Sequence, residues 1–388
     1  MHIKEVTTAK DRKQFLKIPR IIYRNDPNWI SHLDRDIEAV FDPAKNPLFQ
    51  NGEAIRWIMK DTEGNLIGRV AAFIDKKLAY THDYPTGGMG FFECINDKDA
   101  AFNLFDKCRE WLSHRGMEAM EGPVNFGEKD RFWGLLVHNA GYRTPYLMNY
   151  NPPYYKDLFE EYGFKNFYEQ YVYRVPKNHS FPPILQKKYE RLIHTQGYSF
   201  QTLNKKYLEK YALDFITVYN QAWKENHKHF KPLTKNEALN MFKSMENIID
   251  PDIMIFGYHN DKPVAIYLNI PELNQIFQHV NGKLNLTGKL KFLLHKWLGK
   301  CQTVYGIVFG VIPEYRNKGI ESAMTIKLQN VMRNKDKYED VYVSWIGDFN
   351  PKMIRFVERV NIEGIFTLVT YKKLFDPKAK FKRHPTLG

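Results

Sequence analysis

Val308-Phe309-Gly310-Val311-Ile312-Pro313-Glu314-Tyr315-Arg316-Asn317-Lys318-Gly319-Ile320-Glu321-Ser322-Ala323 is the stretch on which the fold turns. An apolar, β-rich run is stopped by proline and followed at once by a helical pattern that continues to Arg333. A strand that runs through a short loop into a helix leaves unbonded backbone N–H groups at the helix start, where the positive end of the helix dipole also lies. That geometry suits a phosphate. Arg316 and Lys318 add charge beside it, and Gly319 permits close approach to the backbone. Val311, Asn317, Ile320, Glu321 and Ser322 complete the candidate binding segment.

Reading outward, the elements around this stretch occur twice. A hairpin, Ala54–Met59 and Leu66–Ile74 around Asp61–Asn65, is matched about 198 positions later by Ile253–Tyr258 and Val264–Ile270. Asn350, before the helix that starts at Pro351, stands 199 positions after Asn151. Two unrelated elements with nearly one offset indicate internal duplication. Insertions distinguish the copies: Gly122–Tyr150 in the first, residues 281–300 in the second. The Pro-rich segment Pro176–Pro183 marks the boundary, which divides the chain into residues 1–178, residues 184–376 and a basic tail, 377–388, read as frayed.

The loop resembles motif A of the GNAT (GCN5-related) acyl-CoA N-acyltransferase superfamily, in which an Arg/Gln-x-x-Gly-x-Gly/Ala loop cradles the CoA pyrophosphate. Arg316, Gly319 and the Val-x-Pro-x-Tyr-Arg lead-in carry the match, and element order extends it over nearly the whole chain. The resemblance implies an α/β fold of two tandem domains, each a mixed, mostly antiparallel sheet flanked by helices. It also implies acetyl-CoA or another acyl-CoA as co-substrate and an amine acceptor, a small molecule or a peptide. An asparagine at the place of Asn350 contacts the pantetheine arm or acceptor in that family. Here capping of the next helix is an equally good reading, and the two are compatible. Asp348 is the nearest candidate general base.

The sequence departs from the family at three places. Glu321 replaces the last small residue of the loop, Val357 stands where a tyrosine general acid is common, and the first copy's junction, Phe91–Asp99, has three acids and no glycine. Phosphate is therefore expected in the second half, with the first as a degenerate copy that packs on it or walls a groove. The same departures keep open a non-catalytic acyl-CoA- or nucleotide-binding protein.

Composition sets the remaining bounds. The net charge of +13 favours anionic partners without naming one, but no aromatic-interleaved basic motif points to nucleic acid. Cys94, Cys108 and Cys301 show no CxxC spacing, and His227-Lys228-His229 has no third ligand in view, so no metal is expected. No apolar run approaches the roughly 18 residues of a membrane span, so a cytoplasmic protein with no membrane partner is expected. Tyr150–Tyr155 reads either as an acceptor-pocket lining or as a helix start capped by Asn151.

Overall fold

A computed structural model describes residues 1–81, 83–224 and 232–387; His227-Lys228-His229 lies outside them. The first half runs β1 (His2–Glu5), α1 (Ala9–Ile22), α2 (Asp34–Val40), β2 (Gly52–Lys60), β3 (Leu66–Asp75), α3 (Lys76–Ala79), β4 (Thr86–Cys94), α4 (Lys98–Ser113), β5 (Ala119–Gly122), β6 (Leu135–Asn139), α5 (Tyr154–Tyr162) and β7 (Lys165–Pro176). The second runs α6 (Pro183–His194), β8 (Tyr198–Thr202), α7 (Leu208–Lys224), α8 (Lys235–Met245), β9 (Ile255–His259), β10 (Lys262–Pro271), α9 (Asn274–Phe277), α10 (Leu286–Trp297), β11 (Thr303–Val311), α11 (Ile320–Lys335), β12 (Asp340–Gly347), α12 (Pro351–Val360) and β13 (Glu363–Leu374). The repeated order expected from the sequence is present, and both insertions carry structure: β6 lies in one and α10 in the other.

Local chemistry sets the ends of these elements. Thr8 and Asp11 form a reciprocal capping box at α1, Asp97 caps α4, Asn350 caps α12, and left-handed Gly163 closes α5. Asn151 does not cap α5. Its amide pairs with both the N–H and the C=O of Leu136, at 2.8 and 3.0 Å, and so satisfies β6 backbone. That buried pairing outweighs a cap that Pro153 makes unnecessary at this end.

The described strands form a single sheet of 13, in the order β1-β2-β3-β4-β5-β13-β7-β12-β11-β10-β9-β8, with β6 on β13. Each half gives its last strand to the other. β13 pairs antiparallel with β5 of the first half through Tyr371↔Gly122 to Leu374↔Ala119, while β7 pairs with β12 of the second from Asp340↔Pro176 to Gly347↔Gln170. The two exchanged strands then pair with each other from Glu363↔Arg174 to Lys372↔Lys165. Leu136, Val172, Tyr342, Phe366 and Leu368 bury this seam.

The segment after β7 is a pinned strap more than a loose linker. Lys177 bonds Glu339 through its backbone and both Asp336 and Glu339 through its amine, and Gln329 donates to the carbonyls of Lys177 and His179. Nor is the C-terminal tail frayed. His384 donates its amide to Phe167, Leu387 donates to Phe349, and Lys382 pairs with Asp83 at 3.0 Å. A tilted ring contact of His384 with Phe349, centroids 4.5 Å apart, helps hold what the lysine-rich composition suggested was free.

Because strand exchange makes each core depend on the other, removing residues after Asn361 should destabilise both halves. Guanidinium unfolding followed by the fluorescence of Trp57 and Trp111, both in the first half's core, is expected to lose its cooperative transition. A first half that keeps an unchanged transition would contradict the exchange.

Candidate functional site

In each half, two neighbouring parallel strands part company. β11 and β12 pair only from Thr303↔Asp340 to Gly306↔Val343, beyond which β11 follows β10 and β12 follows β7. β4 and β5 pair only from Thr86↔Ala119 to Gly88↔Glu121. Each parting opens a cleft between strands, and the helix after the first strand of each pair points its N-terminus at the cleft end.

The two helix starts differ chemically. At α4 the Asp97 carboxylate already accepts from the Ala100 N–H at 2.8 Å, so the site is taken by an anion of the protein. At α11 no side chain caps the helix: Gly319 occupies the cap in a left-handed conformation, φ 95°, after Asn317 at φ 63°. The first intrahelical bond runs from Ala323 to Gly319, and among the described residues the amides of Asn317 through Ser322 find no protein acceptor. Asn317 and Lys318 are exposed, whereas Gly319, Ile320 and Ser322 are buried.

Arg316 lies folded back under this loop. Its Nε donates to the carbonyl of Val311 at 3.3 Å and its terminal nitrogen to that of Ala222 at 2.8 Å, which ties the loop to β11 and α7. It therefore acts first as a strut. Cationic side chains nearer the amides come from α6, which sequence reasoning left aside: Arg191 donates to the Lys318 carbonyl at 2.9 Å, and Lys188 lies over Gly319, its side chain 3.3 Å from where a Cβ would be. Nothing in the α6 sequence sets it apart from a solvated basic helix, so only the fold brings it here.

Asp348 and Asn350 lie beyond the end of β12, on the other arm of the cleft. Asp348 is in an ion pair with Arg383 at 2.5 Å and its N–H donates to Glu169. The Asn350 side chain accepts from Met353. Val357 is buried within α12. These residues contact β7, the tail and α12, and not the α11 loop.

A pocket of about 640 Å³, including space open to solvent, lies in the first half. At its wall a bulge in β4 places Phe91 at φ 50°, with Arg69 directly opposite Glu93. Gly90 is required there, since a Cβ would meet the Val124 carbonyl at 1.8 Å. Glu93 accepts from Tyr23 at 2.6 Å and Tyr155 at 3.0 Å and pairs with Arg69 at 3.4 Å. Burial pushes the Glu93 carboxyl up, against the pull of Arg69 and the two phenols. His32, also lining the pocket, is brought to about 4 by burial and then by the Arg69 charge. Tyr150, Asn151 and Tyr155 line it as well.

The second pocket, about 320 Å³ on the same measure, lies between the halves. Lys129, Asp130 and Trp133 of the first insertion face Tyr305 of β11 and Trp345 of β12 across it, and Phe132 lines both pockets. The first half thus walls a groove against the second half's cleft. Among the described residues no group of three or more side chains is placed to hold a metal ion.

Paired splayed strands, an uncapped glycine-started helix at the cleft end and whole-chain duplication define the fold of tandem GCN5-related N-acetyltransferases. Solved structures agree. A "Tandem GNAT protein from the clavulanic acid biosynthesis pathway (without AcCoA)" superposes with a TM-score of 0.56 at 11% identity, over 97% of this chain and 100% of that one. Among curated proteins, "Bacterial ceramide synthase" of Caulobacter vibrioides is 25% identical over 378 residues, 95% of this chain and 96% of its own. "Protein YghO" of Escherichia coli K12 is 24% identical over 377 residues, 96% and 95% of the two chains. No protein-family model matches the chain.

Arg69→Met strands the Glu93 charge and should cost about 3–5 kcal/mol in denaturant unfolding. For His32 the unfolded imidazole takes up its proton near pH 6.5, but the folded one only near 4. The unfolded state therefore binds more protons in that window, and stability is lost as pH falls through it. Melting temperatures from pH 7 to 4 should fall more steeply for the natural protein than for His32→Asn; parallel curves would contradict the assignment.

Proposed function

We propose that the protein is an acyl-CoA-dependent N-acyltransferase whose second half binds the acyl-CoA and whose acceptor is the primary amine of a long-chain amino alcohol. One observation carries the donor class: the open amides from Asn317 to Ser322 at an uncapped helix start, which suit a pyrophosphate. Lys318, Arg191 and Lys188 surround that place with positive charge. Arg316 contributes by fixing the loop. Likeness to a protein named a ceramide synthase supports the acceptor, because ceramide is by chemical definition an N-acylated long-chain amino alcohol. It also shifts the expected acyl group from acetyl toward a fatty chain.

In this reading the thioester lies in the β11–β12 cleft, oriented by backbone donors near Val311. The amine nitrogen attacks the carbonyl carbon, a C–N bond forms, the C–S bond breaks, and CoA leaves as the thiolate, which becomes the thiol by taking a proton from water as the amine's proton passes out to solvent. The amine must lose a proton, for which Asp348 is the proposed acceptor once its pairing with Arg383 loosens, with Asn350 holding the helix beside it. Most of the acceleration comes from positioning. A binding protein without turnover is the second reading, favoured by the engaged Asp348 and buried Val357.

Thiol release from palmitoyl-CoA and acetyl-CoA, measured against a panel of amines that includes a C18 2-amino-1,3-diol, tests the proposal. Turnover is expected with the amino diol; calorimetric binding without turnover supports the second reading. No binding at millimolar CoA ester overturns both. On binding itself, Lys318→Glu should weaken affinity by about tenfold, and Glu321→Gln should strengthen it several-fold by removing an anion from the first helical turn. Asp348→Asn should lower turnover by about 10²-fold or more with little change in CoA affinity.

A further inference from the structure

Residues 281–300, an insertion with no counterpart at that place in the first half, contain six leucines, Phe292, Trp297 and five lysines, and no acid. Asn285 caps α10 by accepting from Gly288 at 3.0 Å. Only a narrow edge of the helix faces the protein: Gly288 is buried, Phe292 lies against Phe277, and His295 stacks on His279. The opposite face is apolar and open. Leu286 is 75% exposed, Leu290 59%, Leu293 59% and Trp297 82%, residues at i, i+4, i+7 and i+11 that form one stripe, with Leu294 and Leu298 beside it. Helical spacing puts Lys289 along one border of the stripe and Lys291 along the other, while Lys296, on the Lys289 side, is turned back to donate to the Asn247 carbonyl.

We propose that α10 is an interfacial anchor that lays its leucine and tryptophan face into an anionic lipid bilayer, with the bordering lysines among the headgroups. Exposed large apolar side chains at this density mark a contact surface. Lysines on both borders and a tryptophan near the end of the helix fit a membrane interface, where ammonium groups reach the headgroups while their stems stay apolar. A second copy of the chain fits poorly. Stacking two such faces would bring lysine against lysine, with no carboxylate between residues 283 and 300 to pair them. No described helix is long and apolar enough to cross a membrane, so the contact is one of lying on the surface.

The root of α10 abuts the first-half pocket. Arg20 donates to the Asn281 carbonyl at 3.2 Å, and the Asp34 N–H donates to Gly282 at 2.8 Å; Arg20 and Asp34 both line that pocket. An anchored α10 sets the pocket rim at headgroup level. Delivery of a lipid amine from that level rests on the transferase reading, whereas anchoring itself rests on α10 alone.

Flotation of the full chain with phosphatidylcholine vesicles containing about 30 mol% phosphatidylglycerol, against phosphatidylcholine alone, tests anchoring without any acyl-CoA. The natural protein should float with the anionic vesicles, less so as salt rises. Leu290→Glu/Trp297→Glu and Lys289→Glu/Lys291→Glu should each bind at least about tenfold more weakly, with unchanged melting temperature because these side chains are exposed. Absence of flotation, or equal binding by the variants, overturns the proposal. So does a concentration-dependent dimer, abolished by Leu290→Glu/Trp297→Glu, in a protein that ignores vesicles.

Discussion

The pairing of β7 with β13 is the constraint on which the rest of the molecule depends. Each strand has left its own half, and each completes the other's sheet, so the β5 edge is covered by β13 and the β12 edge by β7. Unpaired edges of that sort would otherwise expose rows of backbone donors and acceptors. Because the exchange is reciprocal, the orientation of the two clefts is set by the seam. The groove lined by Trp133, Tyr305 and Trp345 exists only because of it.

That dependence divides the roles of the copies. The second half keeps an open helix start, while the first has closed its own with Asp97 and gained a polar cluster of Arg69, Glu93, Tyr23 and Tyr155. A buried ion pair is costly unless its remaining lone pairs are satisfied, and here two phenols satisfy them. The asymmetry is concentrated at one junction of an otherwise repeated element order. The insertion at residues 122–150 supplies Phe132, the wall common to both pockets.

How much of this was legible in the sequence depended on the range of the contacts involved. The strand, loop and helix from Val308 to Ala323, the hairpins and the doubled order are local patterns, and periodicity and turn chemistry were enough to read them. Strand exchange was not legible, since the same strands in the same order can pair within a half or across halves. Nor was the engagement of Arg316, whose side chain turns inward to two carbonyls, or the task of Asn151, which an Asn-Pro pair before a helix disguises as a cap. Glu93 was visible only as one of three acids; its buried partners Arg69 and Tyr23 come from distant elements. In α10 the exposed leucines obey ordinary amphipathic spacing, and only the packed structure tells which way such a stripe faces.

The central claim, that the donor's phosphates sit on the amides of the α11 loop, is tested most directly by hydrogen–deuterium exchange with and without a saturating acyl-CoA. The account predicts slowed exchange in peptides spanning residues 312–324 and no change across residues 95–101 at the start of α4. Protection at the first-half junction instead, or none in either place despite measured binding, would contradict it.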